Sequence, residues 1–113
     1  MKEIFKIKDL IFYKEEFLDD INEFEDIFPI IKEFSDNLSY EKINVASLNE
    51  CCEKTKENYF IEIQGYINKD DDFITKQELE QMSVAFDRRE LDLFVIRIYK
   101  CTECNKWIID ILE

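Results

Sequence analysis

The stretch Leu91-Asp-Leu-Phe-Val-Ile-Arg-Ile-Tyr-Lys-Cys101-Thr-Glu-Cys104-Asn-Lys-Trp107-Ile-Ile-Asp-Ile-Leu112 decides the fold class. Leu93, Phe94, Val95, Ile96 and Ile98 make an almost unbroken run of strand-forming apolar residues, as expected of a strand covered on both faces. Trp107 to Leu112 reads as a second strand. The residues between, 101–106, suit a hairpin connection built around a cysteine knuckle. The chain therefore ends in a β-hairpin that carries a Cys-x-x-Cys pair.

Working back from that hairpin, Tyr59 to Ile67 alternates, with Ile61, Ile63 and Ile67 on one face and Glu62 and Gln64 on the other. That is a half-buried strand, and Gly65 within it marks a bulge or a close backbone approach. Asn68 to Asp72 is a polar loop. Thr75 followed by Glu78 is a capping box, which predicts a helix carrying Leu79, Met82, Val84 and Phe86 to about residue 87. Arg88 and Arg89 then sit at a helix end, where positive charge is favoured.

The first half reads differently. Residues 3–13 are rich in β-branched and aromatic residues and predict a strand, bent near Asp9. Phe17, Ile21, Phe24, Phe28 and Ile31 recur at helical spacing. Pro29 lies inside that stripe and disfavours helical geometry at Phe28, so the expectation is either a kink or two helices, about 14–28 and 30–38. Residues 41–46 suit a short extended piece. Ser47 and Glu50 form a second capping box, predicting a helix through Cys52 to about Glu57. Strands and helices do not alternate strictly. The expected architecture is therefore α+β: one domain over 1–113, a mainly antiparallel sheet, and helices packed on one face.

Composition narrows the function. The chain of 113 residues has 46% hydrophobic residues, and ten Phe, five Tyr and one Trp argue for a packed core rather than disorder. One Gly excludes a Gly-rich phosphate loop, a dinucleotide fingerprint and a nucleophile elbow. The absence of His removes His-based acid–base catalysis and every His-containing zinc site. Nothing singles out a catalytic pair among 27 acids, so the expectation is a protein that is not an enzyme. The amino terminus lacks the pattern of a signal peptide, and no apolar run is long enough for a membrane span. A reducing, cytoplasmic setting is expected, in which closely spaced cysteines more often bind metal than form disulfides.

Cys101 and Cys104 are spaced so that both sulfurs reach one tetrahedral ion. The residue after the second Cys of such a turn commonly needs a left-handed backbone, and Asn105 tolerates it best after Gly. Over these few residues the segment resembles the knuckles of zinc ribbons. A complete all-thiolate site needs two more ligands, for which Cys51 and Cys52 are the remaining cysteines, or a second chain's knuckle. Zinc is the candidate cofactor. A thioredoxin-like redox role fits less well, because a strand rather than a helix follows the pair.

Charge supplies a second feature. Lys and Arg number 15 against 27 Asp and Glu, a net charge of −12. Direct nucleic-acid binding is disfavoured, and a basic protein is the natural partner. Residues 15–26 hold Glu15, Glu16, Asp19, Asp20, Glu23, Glu25 and Asp26 and no base. On the expected helix most of them face outward. Glu16, Asp19, Asp20, Glu23 and Asp26 are the candidate contacts for a basic partner, in the manner of an inhibitor or immunity-type protein that covers a nucleic-acid-binding groove. The alternative reading of the acids is a solubilising surface. Residues 68–78 resemble an EF-hand loop, but the Gly required at its sixth position is absent and Glu78 falls one place early. The function expected is thus an acidic protein-binding module, with a zinc-stabilised structural or adaptor domain as the alternative.

Overall fold

A computed structural model describes residues 1–81 and 91–113. Its strands are β1 (Glu3–Ile7), β2 (Leu10–Tyr13), β3 (Glu41–Asn44), β4 (Glu57–Ile67), β5 (Phe73–Thr75), β6 (Asp92–Cys101) and β7 (Trp107–Leu112). Its helices are α1 (Phe28–Phe34) and α2 (Lys76–Gln81). β1 and β2 form a two-stranded antiparallel sheet. The larger sheet has the order β3-β4-β6-β7, with β5 paired to β4. β3 and β5 both run antiparallel to β4. The fold is therefore α+β with a mostly antiparallel sheet. No helix among the described residues is long and apolar enough to cross a membrane.

The chain divides into two compact units, 1–61 with 98–109, and 62–97 with 110–113. In the first, β1 and β2 are a hairpin rather than one bent strand. The chain reverses at Lys8-Asp9, with Lys8 in the left-handed region at φ 55°. The core there is aromatic. The Trp107 ring lies 4.4 Å from Phe17, 5.2 Å from Phe12, 5.3 Å from Phe5 and 6.2 Å from Phe28, between ring centroids. Trp107 is buried, and its Nε1 donates to the Tyr13 carbonyl at 2.9 Å, so its one polar atom is satisfied. This anchors the first residue of β7, three positions after Cys104.

The helix expected over 14–28 does not form. Lys14–Glu16 and Ile21–Phe24 are short 3-10 turns, and the backbone between them is drawn to β7. Phe17 makes a parallel bridge with Trp107, and Leu18 N donates to the Trp107 carbonyl at 3.0 Å. Three physical reasons concur. Like charges at four-residue spacing oppose a helix with no base to offset them. Pro29 is tolerated only in a first turn, and α1 indeed starts at Phe28 with Pro29 in that place. Phe17, Phe28 and Ile31 are buried without a continuous helix to carry them. α1 is followed by a 3-10 turn, Ser35–Asn37, and packs against β1.

In the second unit, the polar loop is a tight turn joining β4 to β5. The Asn68 side chain accepts from the N–H groups of Asp70 and Asp72, both at 2.9 Å. β5 is an element that the loop's polarity concealed. Gly65 is the close approach its position suggested: a Cβ there would lie 2.5 Å from Phe73 Cζ and 2.6 Å from the Ile74 carbonyl oxygen. The Thr75–Glu78 capping box forms, with Glu78 N donating to Thr75 Oγ1 at 3.0 Å and Thr75 N to Glu78 Oε2 at 3.3 Å. The expected continuation of this helix through Met82, Val84 and Phe86, and Arg88 and Arg89 beyond it, lie outside the described residues.

Candidate metal centre

β6 ends at Cys101, and the turn 102–106 reverses the chain into β7. Asn105 takes the left-handed conformation, φ 68°, and its N–H donates to the Cys101 carbonyl at 3.1 Å. Cys101 N donates to the Lys106 carbonyl at 2.9 Å. Folded this way, the turn aims the N–H groups of Glu103 and Cys104 at the Cys101 sulfur. Backbone N–H donors of this kind stabilise a thiolate.

The second pair comes from the segment 45–56, which is a hydrogen-bonded loop and not the helix expected from Ser47. Asn49 organises it. Its N–H donates to the Thr55 carbonyl at 2.9 Å, and its own carbonyl accepts from Glu53 N at 2.7 Å. Its side-chain Nδ2 donates to the Glu57 carbonyl at 3.1 Å and to Cys101 Sγ at 3.2 Å. Its Oδ1 accepts from the buried Asn58 Nδ2 at 2.8 Å. Thr102 donates to the same Glu57 carbonyl through its N–H and its hydroxyl, each at 3.4 Å. The first carbonyl of β4 thus ties the cysteine loop to the cysteine turn. These polar contacts override the helix signal, because Asn49 satisfies in one loop several backbone groups that a helix would have paired otherwise.

All four sulfurs converge. The ligand atoms of Cys51, Cys52, Cys101 and Cys104 lie within 4.8 Å of one another, and the four cysteines are free. Cys104 Sγ is 3.0 Å from Cys51 Sγ, and Cys52 Sγ is 3.7 Å from Cys101 Sγ. A zinc–sulfur bond of about 2.3 Å gives a tetrahedron whose sulfur–sulfur edge is about 3.8 Å. The set fits that ion: four soft donors, no competing carboxylate, and N–H groups already aimed at one sulfur. Cys101 is buried and the other three half-buried, so four thiolates would leave no open coordination position.

The sulfurs differ electrostatically. Burial works to raise the Cys101 thiol, but the N–H groups of Cys104 and Glu103 and the Asn49 amide prevail, holding it down to about 6. Burial, with the neighbouring thiols, pushes Cys51 well above the ordinary range. At Cys52 the Lys54 N–H favours the thiolate, yet burial and the Cys101 and Cys104 sulfurs raise it on balance. Without an ion, the cluster favours the thiolate at Cys101 and disfavours it at Cys51 and Cys52. A divalent cation removes the like-charge conflict.

Lys100 completes the surroundings. It is 3% exposed, and burial lowers its pKa, partly opposed by Glu16. Its Nζ donates to the Asn105 carbonyl at 2.7 Å, sits 3.7 Å from Glu16 Oε1, and lies 5.2 Å from the centre of the Phe12 ring. Four thiolates around a dication would carry a net charge of −2, which the buried ammonium of the residue preceding Cys101 would offset in part. Sequence patterning did not single out Asn49, Asn58 or Lys100. The one available signal was a lysine ending an apolar strand directly before a cysteine.

The candidate partner-binding acids have separate fates. Glu16 is half-buried beside Lys100. Asp20 Oδ1 accepts from Asn22 N at 2.9 Å, capping the second 3-10 turn, and Asp19 Oδ1 accepts from Asp20 N at 3.0 Å. Glu15, outside the candidate set, accepts from Lys2 N at 2.7 Å. Asp19, Asp20, Glu23 and Asp26 are exposed, as is Glu25. Among the described residues, no cation lies within ion-pair distance of these five. They do not share one helical face. The EF-hand resemblance is accounted for by the Asn68 turn and the Thr75–Glu78 box. Comparison with protein-family models, curated proteins and solved structures finds no match.

Proposed function

We propose that this chain is a non-enzymatic protein-binding domain whose first unit is held together by a structural zinc ion on Cys51, Cys52, Cys101 and Cys104. The observation that carries the reading is the convergence of the four sulfurs from two segments about fifty positions apart in sequence. A four-thiolate set is closed, so the ion would stabilise rather than catalyse. Its bound state would cross-link the loop before β4 to the turn after β6. Protein purified without chelator should contain one zinc per chain by elemental analysis, and chelation should loosen the first unit, seen as loss of the Trp107 near-ultraviolet signal. Metal-free protein that keeps the same signal and thermal midpoint would overturn the reading.

The acidic segment supports a recognition role for the same domain. Exposed carboxylates at 19–26, with no cation of the described residues within ion-pair distance, are suited to a basic protein surface, including a groove that otherwise receives nucleic acid. Capture of a basic partner that weakens steeply between low and high salt supports this role; salt-insensitive capture argues against it.

A further inference from the structure

The sulfurs are arranged for a second covalent state as well as for an ion. Two sulfur–sulfur contacts, Cys51–Cys104 at 3.0 Å and Cys52–Cys101 at 3.7 Å, each join the loop before β4 to the turn after β6. They use every cysteine once. Three of the four are half-buried and within reach of a small oxidant, whereas Cys101 is buried. The Glu57 carbonyl, which accepts from Asn49 in the loop and from Thr102 in the turn, joins the two segments without using any sulfur.

We propose that the centre is a redox latch: a peroxide converts the zinc tetrathiolate into the two disulfides Cys51–Cys104 and Cys52–Cys101 and releases the ion. This rests on the metal reading above. In each half of the reaction an accessible thiolate attacks a peroxide oxygen. The O–O bond breaks, hydroxide leaves, and a sulfenic acid remains. The facing thiolate then attacks that sulfur, the S–S bond forms, and the S–O bond breaks with loss of a second hydroxide. Two peroxides are reduced, four thiolates are oxidised to two disulfides, and one zinc ion is freed along with four hydroxides. The same two segments are cross-linked before and after, so the fold is retained while the metal is signalled out. Excess thiol reductant with added zinc reverses the change.

The sequence makes the test direct. Lys42, Lys54, Lys100 and Lys106 bound two tryptic peptides, 43–54 with Cys51 and Cys52, and 101–106 with Cys101 and Cys104. The full chain is purified under reductant, freed of it, and assayed for zinc. Hydrogen peroxide is then added with a zinc-binding dye present, and the product is digested without reduction. The expected result is release of one zinc per chain, together with peptides 43–54 and 101–106 joined in one species lighter by the four thiol hydrogens. Partial reduction with differential alkylation should assign 51 to 104 and 52 to 101. Separate peptides carrying internal 51–52 or 101–104 bridges, the crossed pairing, links between chains, or sulfinic acids without linkage would each overturn the proposal. Absence of zinc at the outset defeats the metal reading instead, and the peptide map still judges the pairing.

Discussion

Replacing Lys100 with Met separates the cost of the metal centre from the cost of the fold. The side chain is 3% exposed, and Met fills similar volume without charge. In the metal-free chain two effects oppose each other. The Asn105 carbonyl loses a charged donor at 2.7 Å, a bond worth about 1.5–3 kcal/mol, while the desolvation of a buried ammonium disappears. Glu16, half-buried at 3.7 Å, contributes little to either side. Metal-free stability should therefore change by no more than about 1 kcal/mol. With zinc bound the balance differs, because the ammonium then faces a centre of net charge −2 and also fixes the turn that presents Cys104. Loss of such a partner lowers metal affinity about 10–100-fold, or about 1.4–2.8 kcal/mol. Competition against a chromogenic chelator at fixed pH and salt measures this, and Lys100→Arg should retain most of the affinity. A Lys100→Met protein that is folded and binds zinc as tightly as the parent would refute the charge-compensation argument.

Gly65→Ala should destabilise the second unit by about 1–3 kcal/mol, because the added Cβ meets the Ile74 backbone oxygen as well as the Phe73 ring; an unchanged denaturant midpoint would contradict this. In reduced, metal-free protein, Cys101 titrates at about 6 against 9.0 for an ordinary thiol. Its folded pKa is depressed, so its stabilisation is complete above pH 9 and is lost as pH falls toward 6; above 9 the raised pKa values of Cys51 and Cys52 reverse the slope. Denaturation series across pH 5–10, with thiolate absorbance alongside, should show a maximum near 9, and a flat profile between 6 and 9 would exclude the depressed thiol. Glu23→Lys, Glu25→Lys and Asp26→Lys together should slow association with a basic partner without altering the fold, since among the described residues no hydrogen bond uses these side chains; unchanged association kinetics would remove the acidic segment from recognition.

Much of the larger sheet could be read from local pattern. The alternation of Tyr59–Ile67, the apolar run 93–98 and the segment 107–112 correspond to β4, β6 and β7, because strand burial is set by side chains two positions apart. The Thr75–Glu78 box and the left-handed Asn105 were equally local. The failures were local signals overruled from a distance. The apolar stripe from Phe17 to Ile31 has helical spacing, but the Phe17 backbone pairs with Trp107, ninety positions away, and Pro29 sets where a helix can begin. Ser47 and Glu50 form an acceptable box, but Asn49 closes the loop against Glu57 and Cys101 instead. The turn at Lys8-Asp9 lacks Gly or Asn-Gly, so the β1–β2 reversal carried no ordinary hairpin signature.

Composition and short-range pattern carry the α+β class, the strong acidity, the lack of histidine and of a phosphate loop, and the Cys-x-x-Cys pair at Cys101 and Cys104. Each of these follows from composition or from residues a few positions apart. That Cys51 and Cys52 join this pair in one cluster of sulfurs emerges only in the folded chain. The convergence depends on the start of β4 lying beside the end of β6, and on a carbonyl at Glu57 that both cysteine segments use. The same holds for Lys100, whose buried ammonium is tied to the turn that carries Cys101 and Cys104.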